Sequence, residues 1–271
     1  MKKRHFARFF GNLYWLFVQG RSNLKQSFED VYAETSNNAT FQKIYRDVFG
    51  PEYAEEANPC GFSTKSDIEN IKRHIDLKPG EKLIDVACGR GGNGLVVARD
   101  LGAQLVGVDL STEAVKAAKR RIDDFGMRER AEFLAADMRE LPFSDAEFDA
   151  ALCVDTLYMV PDKRAGLQQI RRVLKPGRPF VIITWEMDVP FAVKDYHPLL
   201  NECGFRVSHY EMIEGWYQRQ KGIYEGILAN QKTLISEMGK RTAAFWINGA
   251  NIELPKLDKM RRVFIVAQRE A

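Results

Sequence analysis

From Lys78 onward, short apolar runs alternate with amphipathic stretches, and this alternation is the main pattern of the chain. Leu83–Ala87, Gln104–Asp109, Ala131–Ala135, Phe148–Val154 and Phe180–Trp185 are short apolar runs of the kind that forms buried strands. Helices are expected between them, opening near Asn93, Ser111 and Asp162, each a residue suited to an N-cap. Pro79-Gly80 and Pro176-Gly177 predict turns leading into strands. Repeated β and α units imply a parallel sheet with helices on both faces. Residues 1–77 read as helical instead. Phe6, Phe9, Phe10, Leu13 and Phe17 recur at helical spacing, and Ser66 and Glu69 are spaced as a capping box ahead of Ile68, Ile71 and Ile75. Further strands are expected over Arg206–Met212 and Arg262–Gln268. A helical insertion over about 215–249 separates them, its apolar face formed by Ile223, Ile227, Leu228, Leu234 and Ile235. The organisation expected is a helical cap over 1–77 and an α/β domain over 78–271 that carries the insertion.

Length and composition narrow the class. With 271 residues and 45% hydrophobic content the chain can bury a substantial core. The net charge of +3 comes from Lys and Arg scattered among nearly as many Asp and Glu, so there is no basic stripe and no case for nucleic acid. Cys60, Cys88, Cys153 and Cys203 form no CxxC pair, which argues against zinc and disulfides and suits a reducing cytoplasm. Met1-Lys2-Lys3-Arg4 precedes apolar residues, but Leu13–Val18 is too short for a signal peptide or a membrane span.

The chemistry concentrates in Leu83-Ile-Asp-Val-Ala-Cys-Gly-Arg-Gly-Gly-Asn-Gly94, a strand ending in an acidic residue and a glycine-rich turn that opens a helix. The glycines allow a ligand to approach the backbone. Gly89-x-Gly91-x-x-Gly94, with Asp109 downstream, also fits a dinucleotide fingerprint. Asp85 separates the two readings: it would repel a pyrophosphate on this turn and attract the sulfonium and ammonium of S-adenosylmethionine (SAM). A plain turn-capping role for Asp85 stays open. Asp109 ends the second strand and suits ribose hydroxyls. Asp137-Met138 follows the third, where the Asp can take the adenine amino group and the Met can pack on the ring. Asp155 follows the fourth, at the pocket mouth. Ligands of such sheets bind along this carboxyl edge.

From Leu77 to Trp185 the chain resembles class I SAM-dependent methyltransferases, through "LIDVACGRGG", "VGVDLS", "AADM", "LPFSDAEFDAALCVDTLYMVPD" and "IRRVLKPGRPFVIITW". Ala87 departs from the pattern, standing where many members carry a glycine. The resemblance implies a Rossmann-like seven-stranded sheet ordered 3-2-1-4-5-7-6 with an antiparallel last strand. It also implies SAM contacts from Asp85, Ala87, Gly89, Gly91, Asp109, Leu110, Asp137 and Met138. "NPCGFST" resembles the segment that closes over the methionine end of SAM in quinone, sterol and natural-product enzymes.

The acceptor is expected to be a small, hydrophobic molecule, because aromatic residues abound in the N- and C-terminal additions. Tyr14, Phe62, Tyr158, Trp185 and Trp216 are the pocket candidates. Asp155, Tyr196 and Tyr45 are the catalytic or orienting ones, and His197 reads as a capping or surface residue. The first expectation is C-methylation of a prenyl diphosphate held by Lys65, Arg90 and Lys194, with Mg²⁺ only in that case and otherwise no metal. O- or N-methylation of an aromatic secondary metabolite is the alternative. An NAD-type oxidoreductase and a catalytically silent SAM-fold partner are the other classes. The N-terminal helix over 6–18 is expected to close over the acceptor pocket, and either it or the insertion offers a homo-oligomer surface.

Overall fold

In the computed structural model β1 (Lys82–Val86), β2 (Gln104–Asp109), β3 (Ala131–Ala135), β4 (Ala150–Val154), β5 (Pro179–Met187), β6 (Phe205–Met212) and β7 (Met260–Arg269) form one sheet in the order 3-2-1-4-5-7-6. Residues 28–29, 31–32, 35, 38–58, 61–189 and 192–271 are described. The helix expected over 6–18, with Tyr14, and Cys60 lie outside them. β1 to β5 pair in parallel, whereas β7 runs antiparallel to both β5 and β6, with a register shift between Val207 and His209. The expected order and the antiparallel last strand are both present.

The helices between strands are α3 (Gly92–Leu101), α4 (Thr112–Arg121), α5 (Lys163–Val173) and α6 (His197–Glu202). The side chains of Ser111 and Asp162 accept from the Ala114 and Ala165 amides, as N-caps should. α3 opens otherwise. Its cap is Gly91 in the left-handed region (φ +70), and Asn93 in its first turn donates to the Ser63 hydroxyl at 3.1 Å. α2 (Lys65–His74) corrects a second expectation: its capping box is Thr64 and Asp67 rather than Ser66 and Glu69. Thr64 is the last extended residue, so the helix starts two residues earlier than the apolar spacing suggested.

The sheet is covered on both faces. Ile68 and Ile71 of α2, Leu95 and Val97 of α3 and Ala118 of α4 pack on one side, and Leu167, Ile170 and Leu200 of α5 and α6 on the other. A third apolar cluster lies outside this sandwich. α1 (Ala39–Phe49) packs there with α7 (Trp216–Ala229) and α8 (Gln231–Glu253), which form the insertion together with a 3₁₀ segment (Leu254–Lys259). The insertion therefore runs about ten residues beyond the expected 249. α8 is kinked at Gly239 (φ +77).

Two glycines set how closely α1 and α7 approach. A Cβ on Gly226 would stand 2.6 Å from Ile44 Cγ2, and one on Gly222 would stand 3.0 Å from Val48 Cγ1. Gly226→Ala should therefore push these helices apart and lower stability by about 1–3 kcal/mol, measured by urea unfolding. Gly249→Ala, in α8 with open space around its Cβ, should instead add up to about 1 kcal/mol.

Candidate functional site

The carboxyl ends of β1, β2 and β4 meet beneath the glycine-rich turn. Asp85 is 2% exposed and is approached by the Gly94 amide, whose residue has no room for a side chain: a Cβ there would lie 2.5 Å from Asp85 Oδ2. Asp109 accepts from the Gly89 amide (2.8 Å) on one carboxylate oxygen and from the Ser111 amide (2.9 Å) on the other, with the Leu110 amide alongside. Burial, with the charge of Asp109 nearby, pushes Asp85 up to about 7. Burial likewise raises Asp109 to about 6, against the pull of the backbone amides. Among the described residues no cation pairs with either. Two buried carboxyl groups without a counter-ion form a desolvated corner in which a positively charged partner would favour their ionised forms.

The turn above them is conformationally demanding. Ala87 sits at φ +57, a left-handed conformation that glycine adopts freely and alanine at a cost of about 1 kcal/mol. Gly89 (φ +55) lies under Tyr32, whose hydroxyl would be 2.8 Å from a Cβ there. Tyr32 stacks on Phe28 (6.1 Å), and Phe28 meets Phe245 of α8 at 5.8 Å. Glu29 caps α4, accepting from the Ser111 hydroxyl and from the Thr112 and Glu113 amides, and these hydrogen bonds hold its carboxyl below the ordinary range. Glu29 did not stand out in the sequence, since it takes its place only through the fold.

Asp137 and Met138 are placed less simply. The Asp137 carboxylate accepts from the Arg139 side chain at 3.0 and 2.8 Å and from its backbone amide at 2.9 Å. The Met138 side chain fills the core against Gly166 of α5. Its packing surface is therefore used inside the fold.

Asp155, expected as an acid or base, turns out to be an anchor. It follows β4 at φ +54 and is clamped by Arg262 of β7: Nε to Oδ1 and Nη2 to Oδ2, both at 2.9 Å. The Phe62 amide adds a third hydrogen bond at 3.0 Å. Arg262, 1% exposed, reaches Asp67 Oδ2 with Nη1 at 2.7 Å, and the same Asp67 caps α2. A carboxylate held this way by a guanidinium has its oxygens committed to the structure. Arg262 was invisible as a site residue in the sequence, because nothing in the strand pattern distinguishes it.

Tyr196 also departs from its expected role. It is fully buried among Phe205, Leu200 and Cys153, and its hydroxyl lies 3.4 Å from Thr184 Oγ1. Thr184 and Trp185 alternate across β5, so Tyr196 stands on the face of the sheet opposite the Trp185 ring. The structure thus keeps Tyr196 away from the aromatic cluster. His197 fits its surface reading: it starts α6, pairs with Asp195 and stacks on Tyr210 at 4.1 Å.

The remaining aromatic candidates converge. Trp185 meets Phe62 (5.6 Å), Tyr158 (6.5 Å) and Trp216 (5.5 Å), and Phe62 meets Tyr224 (6.4 Å). Tyr45 belongs to the same cluster. Burial raises the Tyr158 and Tyr224 hydroxyls well above the ordinary phenol range, Tyr224 reinforcing the rise at Tyr158 and Glu253 that at Tyr224. Phe62 joins this cluster to the anchored Asp155. The basic residues proposed for a diphosphate are committed elsewhere or exposed: Arg90 holds the Asn58 carbonyl, Lys194 pairs with Asp188, and Lys65 faces solvent at the start of α2.

The comparisons agree with this geometry. A family profile described as "Methyltransferase domain" matches residues 83–177. O-methyltransferase cnsE of Penicillium expansum is 32% identical over 210 residues, covering 66% of this chain and 71% of that protein. Sterol 24-C-methyltransferase ERG6B of Gibberella zeae is 27% identical over 172 residues, 60% of this chain and 45% of that protein. The crystal structure of the [4+2]-cyclase SpnF superposes with a TM-score of 0.73 at 20% identity, over 92% of this chain and 96% of that one. The chain spans less than half the length of the first curated relatives it matches, 45%, 43% and 43%. The chain belongs to the class I SAM-dependent methyltransferases, enzymes whose cofactor is SAM. Within that class it is related to several natural-product and sterol families and to no single subtype.

Two outcomes follow from the buried charges. Arg262→Met should strand two carboxylates in the interior and cost about 3–5 kcal/mol in urea unfolding. Asp85 has a folded-state value raised from 3.8 to about 7, so its contribution is fully present below about pH 4 and is lost as pH rises to 7. Asp85→Asn should therefore stabilise the ligand-free protein at pH 8 by a few kcal/mol, on the order of the shift, and match wild type near pH 4. Groups held low, such as Glu29, Asp100 and Asp149, act in the opposite sense and only at more acidic pH. Thermal unfolding of both proteins across pH 4–8 checks the sign.

Proposed function

We propose that this protein transfers a methyl group from SAM to a small, largely apolar acceptor held in the aromatic cluster around Trp185. The observation that carries the cofactor assignment is the pair of buried carboxylates, Asp85 and Asp109, without a cation among the described residues. Their corner suits a ligand bringing positive charge and a diol, and disfavours a pyrophosphate. With three amides on its two oxygens, Asp109 keeps a further acceptor direction for a ribose hydroxyl. Asp137, engaged by Arg139, and Met138, whose side chain is in the core, are the weaker cofactor contacts.

When bound, SAM supplies an electrophilic methyl group. The residues of the chain bind, orient and exclude water. Asp85 and Asp109 hold the cationic and ribose portions, and Tyr32 covers the glycine turn. Phe62, Tyr158, Trp185, Tyr224 and Tyr45 wall the acceptor side, and orientation of the nucleophile against the methyl group is the main contribution expected of them. With Asp155 neutralised by Arg262 and Tyr196 on the far face, no general base is assigned.

Oxygen or nitrogen methylation of a ring compound is the reading we favour. The aromatic walls support it, as does the O-methyltransferase among the relatives. C-methylation of a prenyl or sterol chain is the second reading, supported by the sterol 24-C-methyltransferase relative and by the ability of aromatic faces to stabilise a cationic intermediate. The engagements of Arg90 and Lys194, and the solvent-facing position of Lys65, weigh against a diphosphate acceptor.

Titration calorimetry should show binding of SAM and of S-adenosylhomocysteine, with none of NADH. Asp109→Ala should weaken both by about 1.5–3 kcal/mol, one charge-assisted contact. Asp85→Asn should weaken SAM about tenfold or more, and SAM binding to wild type should release protons near pH 7. NADH binding without SAM binding would refute the proposal.

A further inference from the structure

α7 presents two faces. Gly222 and Gly226 rest on Val48 and Ile44 of α1, whereas Trp216, Gln220, Ile223, Tyr224 and Ile227 are buried along the other side. Gln220 lies in the middle of that second face. It stands one turn from Trp216, whose ring meets Trp185 at 5.5 Å, and one turn from Tyr224, whose ring meets Phe62 at 6.4 Å. Gln220 is 1% exposed; its amide N–H faces the Tyr224 hydroxyl in a hydrogen bond that works against the effect of burial on Tyr224, while its carbonyl oxygen has no partner among the described residues. The Trp185 indole N–H, on a side chain 2% exposed, lacks an acceptor in the same way.

Buried polar groups are normally paired, because an unpaired one forfeits its hydration with nothing in return. Packing alone would be served better by Met at 220 and Phe at 185. Both groups belong to the cluster assigned to the acceptor, and together they offer one donor and one carbonyl acceptor.

We propose that Gln220 and the Trp185 indole N–H form the polar contact that orients the acceptor, and that the acceptor is an apolar molecule bearing a hydroxyl group. The Trp185 indole N–H donates to the hydroxyl oxygen, and the Gln220 carbonyl oxygen accepts a hydrogen bond from the hydroxyl. This rests on the methyltransferase reading and narrows it from any greasy ligand to an alcohol or phenol. It also assigns a specificity role to Gln220, which neither apolar pattern nor motif marks.

Matched probes test it on the enzyme saturated with S-adenosylhomocysteine: β-naphthol against β-methylnaphthalene, and geraniol against its deoxy hydrocarbon. In wild type at least one hydroxylated member should bind about tenfold or more tightly than its partner, the worth of one buried hydrogen-bonded pair. Gln220→Met and Trp185→Phe should each reduce that preference, and the double variant should abolish it, with S-adenosylhomocysteine affinity unchanged. Loss of S-adenosylhomocysteine affinity in Gln220→Met would mean that the amide supports the fold and not the acceptor, which overturns the proposal. So does binding of neither pair, equal binding within both pairs, or a preference that survives both substitutions. Failure to bind S-adenosylhomocysteine at all would instead bring down the methyltransferase reading on which the proposal stands.

Discussion

The guanidinium of Arg262 is the constraint on which the site depends. It lies on the antiparallel strand β7, cross-strand from Trp185, and spends three nitrogens on two carboxylates from distant parts of the chain. Asp155 fixes the exit from β4, and Asp67 caps the helix that leads into the sheet domain. A charge this deeply buried is tolerable only when paired and hydrogen-bonded, and each of its three nitrogens meets a carboxylate oxygen. Desolvation works to lower the pKa of Arg262, but its two carboxylate partners hold it above the ordinary arginine value. The same guanidinium sits 5.9 Å from the Trp185 ring, and Asp155 receives the Phe62 amide. The aromatic walls thus inherit their positions from an ion-pair network beside them.

Charge is distributed unevenly between the two halves of the site. Around the glycine turn Asp85 and Asp109 have no counter-charge among the described residues, and burial raises both. Around Trp185, Asp155 is paired with Arg262, and the surroundings are rings and hydroxyls. Under the proposed function, that division would give a cationic ligand one place to settle and leave an apolar one the other. It also places a stability cost where the ligand would relieve it, a common arrangement at binding sites.

The cap joins the halves. Val48 and Ile44 of α1 key into the glycines of α7, and α7 turns its opposite face to Trp185 and Phe62. Phe245 of α8 meets Phe28, and the Trp246 indole donates to Thr35 at 3.2 Å. Residues before α1 therefore reach both the glycine turn, through Tyr32, and the insertion. A change in either half can be felt in the other through packed rings.

The sheet was legible in the sequence because a strand buried on both faces must be a continuous apolar run. Gln104–Asp109 and Ala131–Ala135 coincide with β2 and β3 to the residue, and the others differ by a residue or two at one or both ends. Asp85 and Asp109 were equally legible: a strand end followed by a glycine turn fixes where a carboxylate must sit, whatever the rest of the chain does. The capping box of α2 was misread because two overlapping candidate pairs lie within six residues, and only backbone conformation chooses between them. Asp155 and Tyr196 were read as chemical groups because a sequence shows residue types and not their partners. Arg262 lies 107 positions from Asp155, and Thr184 carries Tyr196 to the wrong face of the sheet. Local pattern determined the strands and the carboxylates at their ends, because those follow from nearest neighbours along the chain. Which carboxylates lack a cation and which rings meet were decided by tertiary contacts, because pairing between remote side chains leaves no periodicity to read.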